Sequence, residues 1–219
     1  MSILFFKALY PEATVVGFEP DAYTYSVLQK NISSNALKGV QVHQAALGTE
    51  HSTVDFYNDP RAPGSLAMST SRETLPVWSQ ERTSVQQVKL SRFISRRKVD
   101  FLKLDVEGAE DAVLEDLVSS GSISNISQMV VEYHHHFIGK DKDAFSTFLA
   151  QLEESGFGYQ ISSHYPTTER ASLGRFFQGL HVYAYQKSSG ICFDPEWQKL
   201  ILERRDALAD PEAFVELYD

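Results

Sequence analysis

Three acidic residues stand at or near the carboxyl ends of apolar runs that read as strands: Glu19 after "TVVGF", Asp105 after "VDFLKL" and Glu132 in "ISQMVVEY". In an open α/β sheet ligands lie beyond the carboxyl ends of the strands, so acids placed there are the first candidates for binding work. An acid in the position of Glu19 accepts hydrogen bonds from ribose hydroxyls in nucleotide sites. Asp105 opens the segment "DVEGAE", which adds Glu107 and Glu110, and Glu132 is followed closely by the triplet His134-His135-His136. Plainer readings stand beside these. Glu19 alone could cap a helix, Asp105 could be satisfied by backbone amides at a helix start, and Glu107 and Glu110 suit the positive end of a helix macrodipole. The histidine triplet invites a metal, but three consecutive residues on an extended chain point to alternating sides and cannot all face one ion. No metal is expected there, and His134 could act as a base because an imidazole titrates near neutrality.

These residues need strands and helices to position them, and the hydrophobic period switches between the two along the chain. Strands are expected at 14–18, 40–47, 52–59, 83–90, 99–106 and 126–133, with an antiparallel pair at 158–164 and 180–187. Helices are expected from Asp21 to about Asn35, at 92–97, from Gly108 with Val113, Leu114, Leu117 and Val118 buried, at 141–155, and at 196–208. The first ten residues, "MSILFFKALY", lack a basic start and a small-residue cleavage site, so they read as helix rather than signal peptide. Residues 60–82 are rich in Pro, Gly, Ser and Thr and read as a long loop of the kind that is often functional.

The chain has 219 residues, 42% of them hydrophobic and 22% charged, which suits a single α/β domain over 1–219. A net charge of -9 argues against a nucleic-acid footprint. The single cysteine, Cys192, excludes an intramolecular disulfide, so a reducing cytoplasm is expected. No apolar run approaches the roughly 18 to 20 residues that span a bilayer, so no membrane partner is expected.

Taken in order, "FKALYPEATVVGFEPDAYTYSVLQKNISSN", "VQVHQAALG", "VDFLKLDVEGAEDAVLEDL" and "MVVEYHHH" resemble the FkbM-type family of S-adenosylmethionine-dependent methyltransferases across residues 4 to 136. The resemblance implies a class I methyltransferase fold: a Rossmann-like, mostly parallel seven-stranded twisted sheet with helices on both faces and an antiparallel C-terminal strand. It implies O-methylation of a hydroxyl on a sugar or small metabolite, with S-adenosylmethionine as cofactor. On that reading Glu19 holds the cofactor ribose, and Gln44 and Ala45 lie where the adenine packs. Asp105 meets the cofactor and, with His134, serves the acceptor hydroxyl by orienting it or taking its proton. Glu107 and Glu132 face the acceptor. Segments 60–82 and 164–179 are expected to close over it.

The sequence departs from the family at its start. The family's opening strand and its Asp-x-Gly-x-x-x-Gly turn have no counterpart, and the chain begins in the helix that follows them. An incomplete copy is expected rather than a degenerate one, because the other motifs are intact. A central strand missing from the sheet leaves two neighbours unpaired, so the chain is expected to be poorly soluble or to pair with itself as a homo-oligomer. The rival readings are a non-catalytic remnant or binding module that keeps the fold, and a dinucleotide-dependent oxidoreductase, which shares only the strand-end acid.

Overall fold

The computed structural model describes residues 2–58, 68–70, 81–95, 97–134, 141–163 and 180–189. The expectations for 164–179 and for a helix at 196–208 fall outside them, as do His135, His136 and Cys192.

Among the described residues, five α-helices are interspersed with nine strands. Helix α1 (Ser2–Leu9) leads to β1 (Val15–Phe18), α2 (Ala22–Ser34) and β2 (Val40–His43). Strands β3 (Ala46–Leu47), β4 (Ser52–Asn58) and β5 (Glu81–Val88) follow, then α3 (Ser91–Ile94), β6 (Val99–Leu104) and α4 (Glu110–Ser119). The chain continues through β7 (Ile126–Tyr133), α5 (Ala144–Glu154), β8 (Phe157–Ser163) and β9 (Leu180–Gln186).

Local chemistry sets several of these boundaries. Asp21 caps α2 by accepting from the backbone N–H of Thr24 at 2.7 Å and from its hydroxyl at 2.8 Å. Asn35 ends that helix with its side-chain amide donating to the Asn31 carbonyl at 2.8 Å. The strand expected at 40–47 is instead two strands. The Ala45 N–H donates to the His43 carbonyl at 3.1 Å, which bends the chain at Gln44 and Ala45 and turns β3 toward β5. Strand β5 starts at Glu81, so the last two residues of the expected loop are strand. Gly156, at φ +86°, supplies the left-handed turn between α5 and β8.

The strands form three hydrogen-bonded sheets. Strands β1 and β2 pair in parallel, β3-β5-β4 form a mixed sheet, and β6-β7-β9-β8 form another with β6 and β7 parallel and β9 antiparallel to both its neighbours. Parallel and antiparallel pairing thus combine in one α/β fold, with the closing antiparallel pair β8 and β9 in place. Among the described residues, β1 has only β2 as a ladder partner and β6 only β7. Val16 on β1 and Phe101 on β6 are correspondingly exposed, at 38% and 41%. Helix α1 bears on both strands: a side chain added at Gly17 would meet Ile3, and the Phe6 ring lies 5.6 Å from that of Phe101. Lys7 in its last turn is buried and donates to the carbonyls of Pro11 and Ala13.

The core is continuous around the larger mixed sheet. Leu104, Met129, Val131 and Tyr133 from β6 and β7 pack with Val113, Leu114 and Leu117 of α4, Phe148 and Leu152 of α5, and Val182 and Ala184 of β9. Burying an aliphatic side chain of this size contributes roughly 1.5 to 3 kcal/mol. This packing fixes the ends of β6 and β7 against the start of α4, where the acidic residues gather. Val118, expected on the buried stripe, is only partly buried at its edge.

Candidate functional site

Strands β6 and β7 run parallel in register, with Leu104 opposite Val131, so their carboxyl ends emerge side by side. Asp105 leaves β6 directly. The backbone then turns through Glu107 at φ +50° and Gly108 at φ +106° before α4 begins at Glu110. A non-glycine residue at positive φ is strained and persists only where its surroundings hold it. Here the holding contact comes from afar: the Ser69 hydroxyl, on a buried residue, donates to the Glu107 carbonyl at 2.6 Å. Ser69 is itself pinned by paired backbone hydrogen bonds with Tyr57 on β4, at 2.9 and 3.2 Å. It lies in the 60–82 segment expected to carry function, of which only 68–70 and 81–82 are among the described residues.

Glu110 is fully buried, and its Oε1 accepts the Gly108 N–H at 2.8 Å. The same oxygen lies 2.8 Å from Nδ1 of His134, which is 5% exposed. An oxygen that already accepts from a backbone amide faces Nδ1 as an acceptor, so Nδ1 carries the proton and Nε2 is turned toward the rim. There Nε2 meets Glu107 Oε2 at 3.4 Å and Glu132 Oε1 at 4.0 Å. Glu132 Oε2 lies 3.6 Å from Nε2 of His181, its cross-strand neighbour on β9. Asp105 sits at the outer side with Oδ2 taking Lys103 at 2.6 Å. Behind the rim, the buried Tyr133 hydroxyl donates to Asp111 at 2.8 Å, and burial together with that bond raises its pKa.

The electrostatics follow from this crowding. Burial pushes the Glu107 carboxyl up to about 7; His134 opposes the rise, and the charges of Asp105, Glu132 and Glu110 add to it. For His134 burial favours the neutral ring, yet the hydrogen bond to Glu110 and the charges of Glu110, Glu107 and Glu132 outweigh it and raise its pKa.

Glu19 directly follows β1, at the end of the two-stranded sheet. Its backbone N–H donates to the His43 carbonyl at 3.0 Å and its Oε1 accepts from the Asp21 N–H at 2.9 Å. Burial raises its pKa, partly offset by that bond. Beside it, the rings of Phe18, His43 and Phe93 form a cluster with centroids 4.7 to 5.3 Å apart, and His43 Nε2 is buried without a hydrogen-bond partner. A half-buried acid next to an aromatic cluster with an unbonded ring nitrogen fits a nucleoside.

Asp105, Glu107, Glu132 and His134 are thus brought together, and Glu19 occupies a separate strand end. Gln44 and Ala45 fare differently, since the bend after β2 leaves Gln44 exposed and packs Ala45 into the interior at 4% exposure. His43, one residue earlier, is the better-placed ring. Sequence reasoning also missed Ser69 and His181, which no local motif marks because strand pairing alone brings them in.

The model of the methyltransferase FkbM domain matches residues 3–160. The chain belongs to the FkbM methyltransferase family. It is 33% identical over 178 residues to "Methyltransferase 1" of Beauveria bassiana (strain ARSEF 2860), covering 74% of this chain and 69% of that protein. It is 29% identical over 140 residues to "Methyltransferase sdnD" of Sordaria araneosa, covering 51% of this chain and 54% of that one. The crystal structure of the FkbM methyltransferase from Methylobacillus flagellatus KT shares the fold at a TM-score of 0.50 and 16% identity, covering 84% of this chain and 40% of that one. The chain therefore spans only part of each of these proteins. The FkbM domain runs from α1 into β8 and contains Glu19 and every rim residue except His181. No helix among the described residues is long and apolar enough to cross a membrane.

Proposed function

We propose that this FkbM domain transfers a methyl group from S-adenosylmethionine to a hydroxyl oxygen of a small polar acceptor, such as a sugar or a hydroxylated metabolite. The observation that carries the acceptor side is the Glu110 to His134 contact at 2.8 Å, which fixes one imidazole nitrogen toward a rim of carboxylates. Asp105, Glu107 and Glu132 offer oxygens that accept hydrogen bonds from hydroxyls and hold the acceptor in place. The rim also takes up the proton that leaves the hydroxyl.

Glu19 and the Phe18, His43 and Phe93 rings would hold the nucleoside of the cofactor. Bound there, S-adenosylmethionine supplies an electrophilic methyl group on a sulfonium. The chain's own residues orient the two partners, keep water from the buried His134 and Glu110, and accept the proton.

A second reading, a binding module that keeps the fold without turnover, is favoured by the sheet pairing: Glu19 follows β1 and Asp105 follows β6, on sheets that no ladder joins among the described residues. Calorimetric titration with S-adenosylhomocysteine separates the two. Saturable heat that falls at least about tenfold in affinity in Glu19→Ala supports the methyl-transfer reading, on the scale of a lost charged hydrogen bond. No heat at millimolar ligand leaves the binding module.

A further inference from the structure

Three residues of the rim also make up a donor set for a cation. Asp105, Glu107 and His134 each offer one ligand atom, and the three atoms lie within 4.8 Å of one another. A small octahedral cation with donors about 2.1 Å away holds opposite ligands about 4.2 Å apart, within the reach of small side-chain movements here. The three donors come from separately fixed backbone: the end of β6, the strained turn held by Ser69, and the residue after β7.

The histidine is prepared as ligating imidazoles are. Its Nδ1 is tied to the buried Glu110 carboxyl, which sets the ring plane and aims Nε2 at Glu107. The Nε2 to Oε2 separation of 3.4 Å is long for a hydrogen bond, while two adjacent ligands of one ion stand about 3 Å apart. Of the triplet His134-His135-His136, this set uses His134 alone. Lys103 counts against it, because its ammonium already lies on Asp105 Oδ2 and repels a second cation.

We propose that Asp105, Glu107 and His134 bind one divalent cation of the Mn2+ or Mg2+ class, as two carboxylates and one imidazole favour. Three protein donors leave coordination positions open, and an acceptor oxygen can fill one. That last role rests on the methyl-transfer reading, whereas cation binding does not. With the cation in place, Glu132 is the rim carboxylate left to take the acceptor's proton.

The test is a titration of the chain with MnCl2, without methyl donor or acceptor, following free Mn2+ by electron paramagnetic resonance. The expected result is one Mn2+ per chain, weakened tenfold or more in Asp105→Asn and in Glu107→Gln, and tightened severalfold in Lys103→Gln, with near-ultraviolet circular dichroism reporting the fold of each variant. Glu110→Gln, which leaves every ligand in place, is expected to weaken binding about 10- to 100-fold through the imidazole it orients. Absence of bound Mn2+ at millimolar concentration overturns the proposal, and so does binding that Lys103→Gln and the folded ligand variants leave unchanged. Mn2+ binding with no S-adenosylhomocysteine binding would overturn the methyl-transfer reading alone.

Discussion

Glu110 and His134 are joined at 2.8 Å in the interior, one fully buried and the other nearly so, although 24 positions separate them in sequence. The pair fastens the start of α4 to the end of β7. Removing the Glu110 carboxyl takes this partner from both His134 Nδ1 and the Gly108 N–H in a dry environment. Glu110→Ala is expected to cost about 3 kcal/mol in urea unfolding, the scale for breaking a buried pair. Glu110→Gln is expected to cost less, since an amide oxygen still accepts from Gly108. Equal losses in both variants would mean that packing, and not the hydrogen bonds, holds this corner.

Stability is expected to fall as pH rises across neutrality. Glu107 is shifted from its ordinary 4.5 to about 7 in the folded chain, so folding favours its protonated form. His134 is shifted in the same direction. For both, the stabilisation is complete below the unfolded pKa and is lost as pH passes the folded one. Urea midpoints measured between about pH 5 and about pH 8 should therefore decline, and Glu107→Gln should flatten the decline. A wild-type midpoint that climbs over this window contradicts the assignment.

Much of this arrangement is visible in the sequence. The apolar runs at 99–106 and 126–133 give β6 and β7 almost to the residue, and the strand-end rule singles out Asp105 and Glu132, because a period of two with a β-branched core is a local signal. The helix after Gly108 was equally plain, although it begins two residues later, once the turn at Glu107 and Gly108 is complete. What the sequence conceals is non-local. Ser69 reaches Glu107 across 38 positions, and His181 meets Glu132 only through the pairing of β9 with β7. Gln44 and Ala45 part company because of a one-residue bend, set by a backbone hydrogen bond at His43, which leaves Gln44 exposed and buries Ala45.

That β1 and β6 each have one ladder partner among the described residues leads to a third expectation. A strand edge with open N–H and C=O groups templates pairing with another chain, and Phe101 adds an exposed ring on β6. Sedimentation velocity over a concentration series is expected to show self-association of the chain. Phe101→Lys, a charge on that edge, is expected to reduce it. A monomer at all concentrations would show that these edges are protected in solution.

The central claim is that the cofactor's methyl-bearing sulfonium and the Glu107 and His134 rim share one cleft. The direct measurement is the pH titration of the His134 ring by nuclear magnetic resonance with S-adenosylmethionine and then with S-adenosylhomocysteine, which differ by one positive charge. A cation beside the rim disfavours the imidazolium, so the His134 pKa should be lower with S-adenosylmethionine, and the difference should vanish in Glu19→Ala. Superimposable titrations with the two ligands, both bound, would contradict the account.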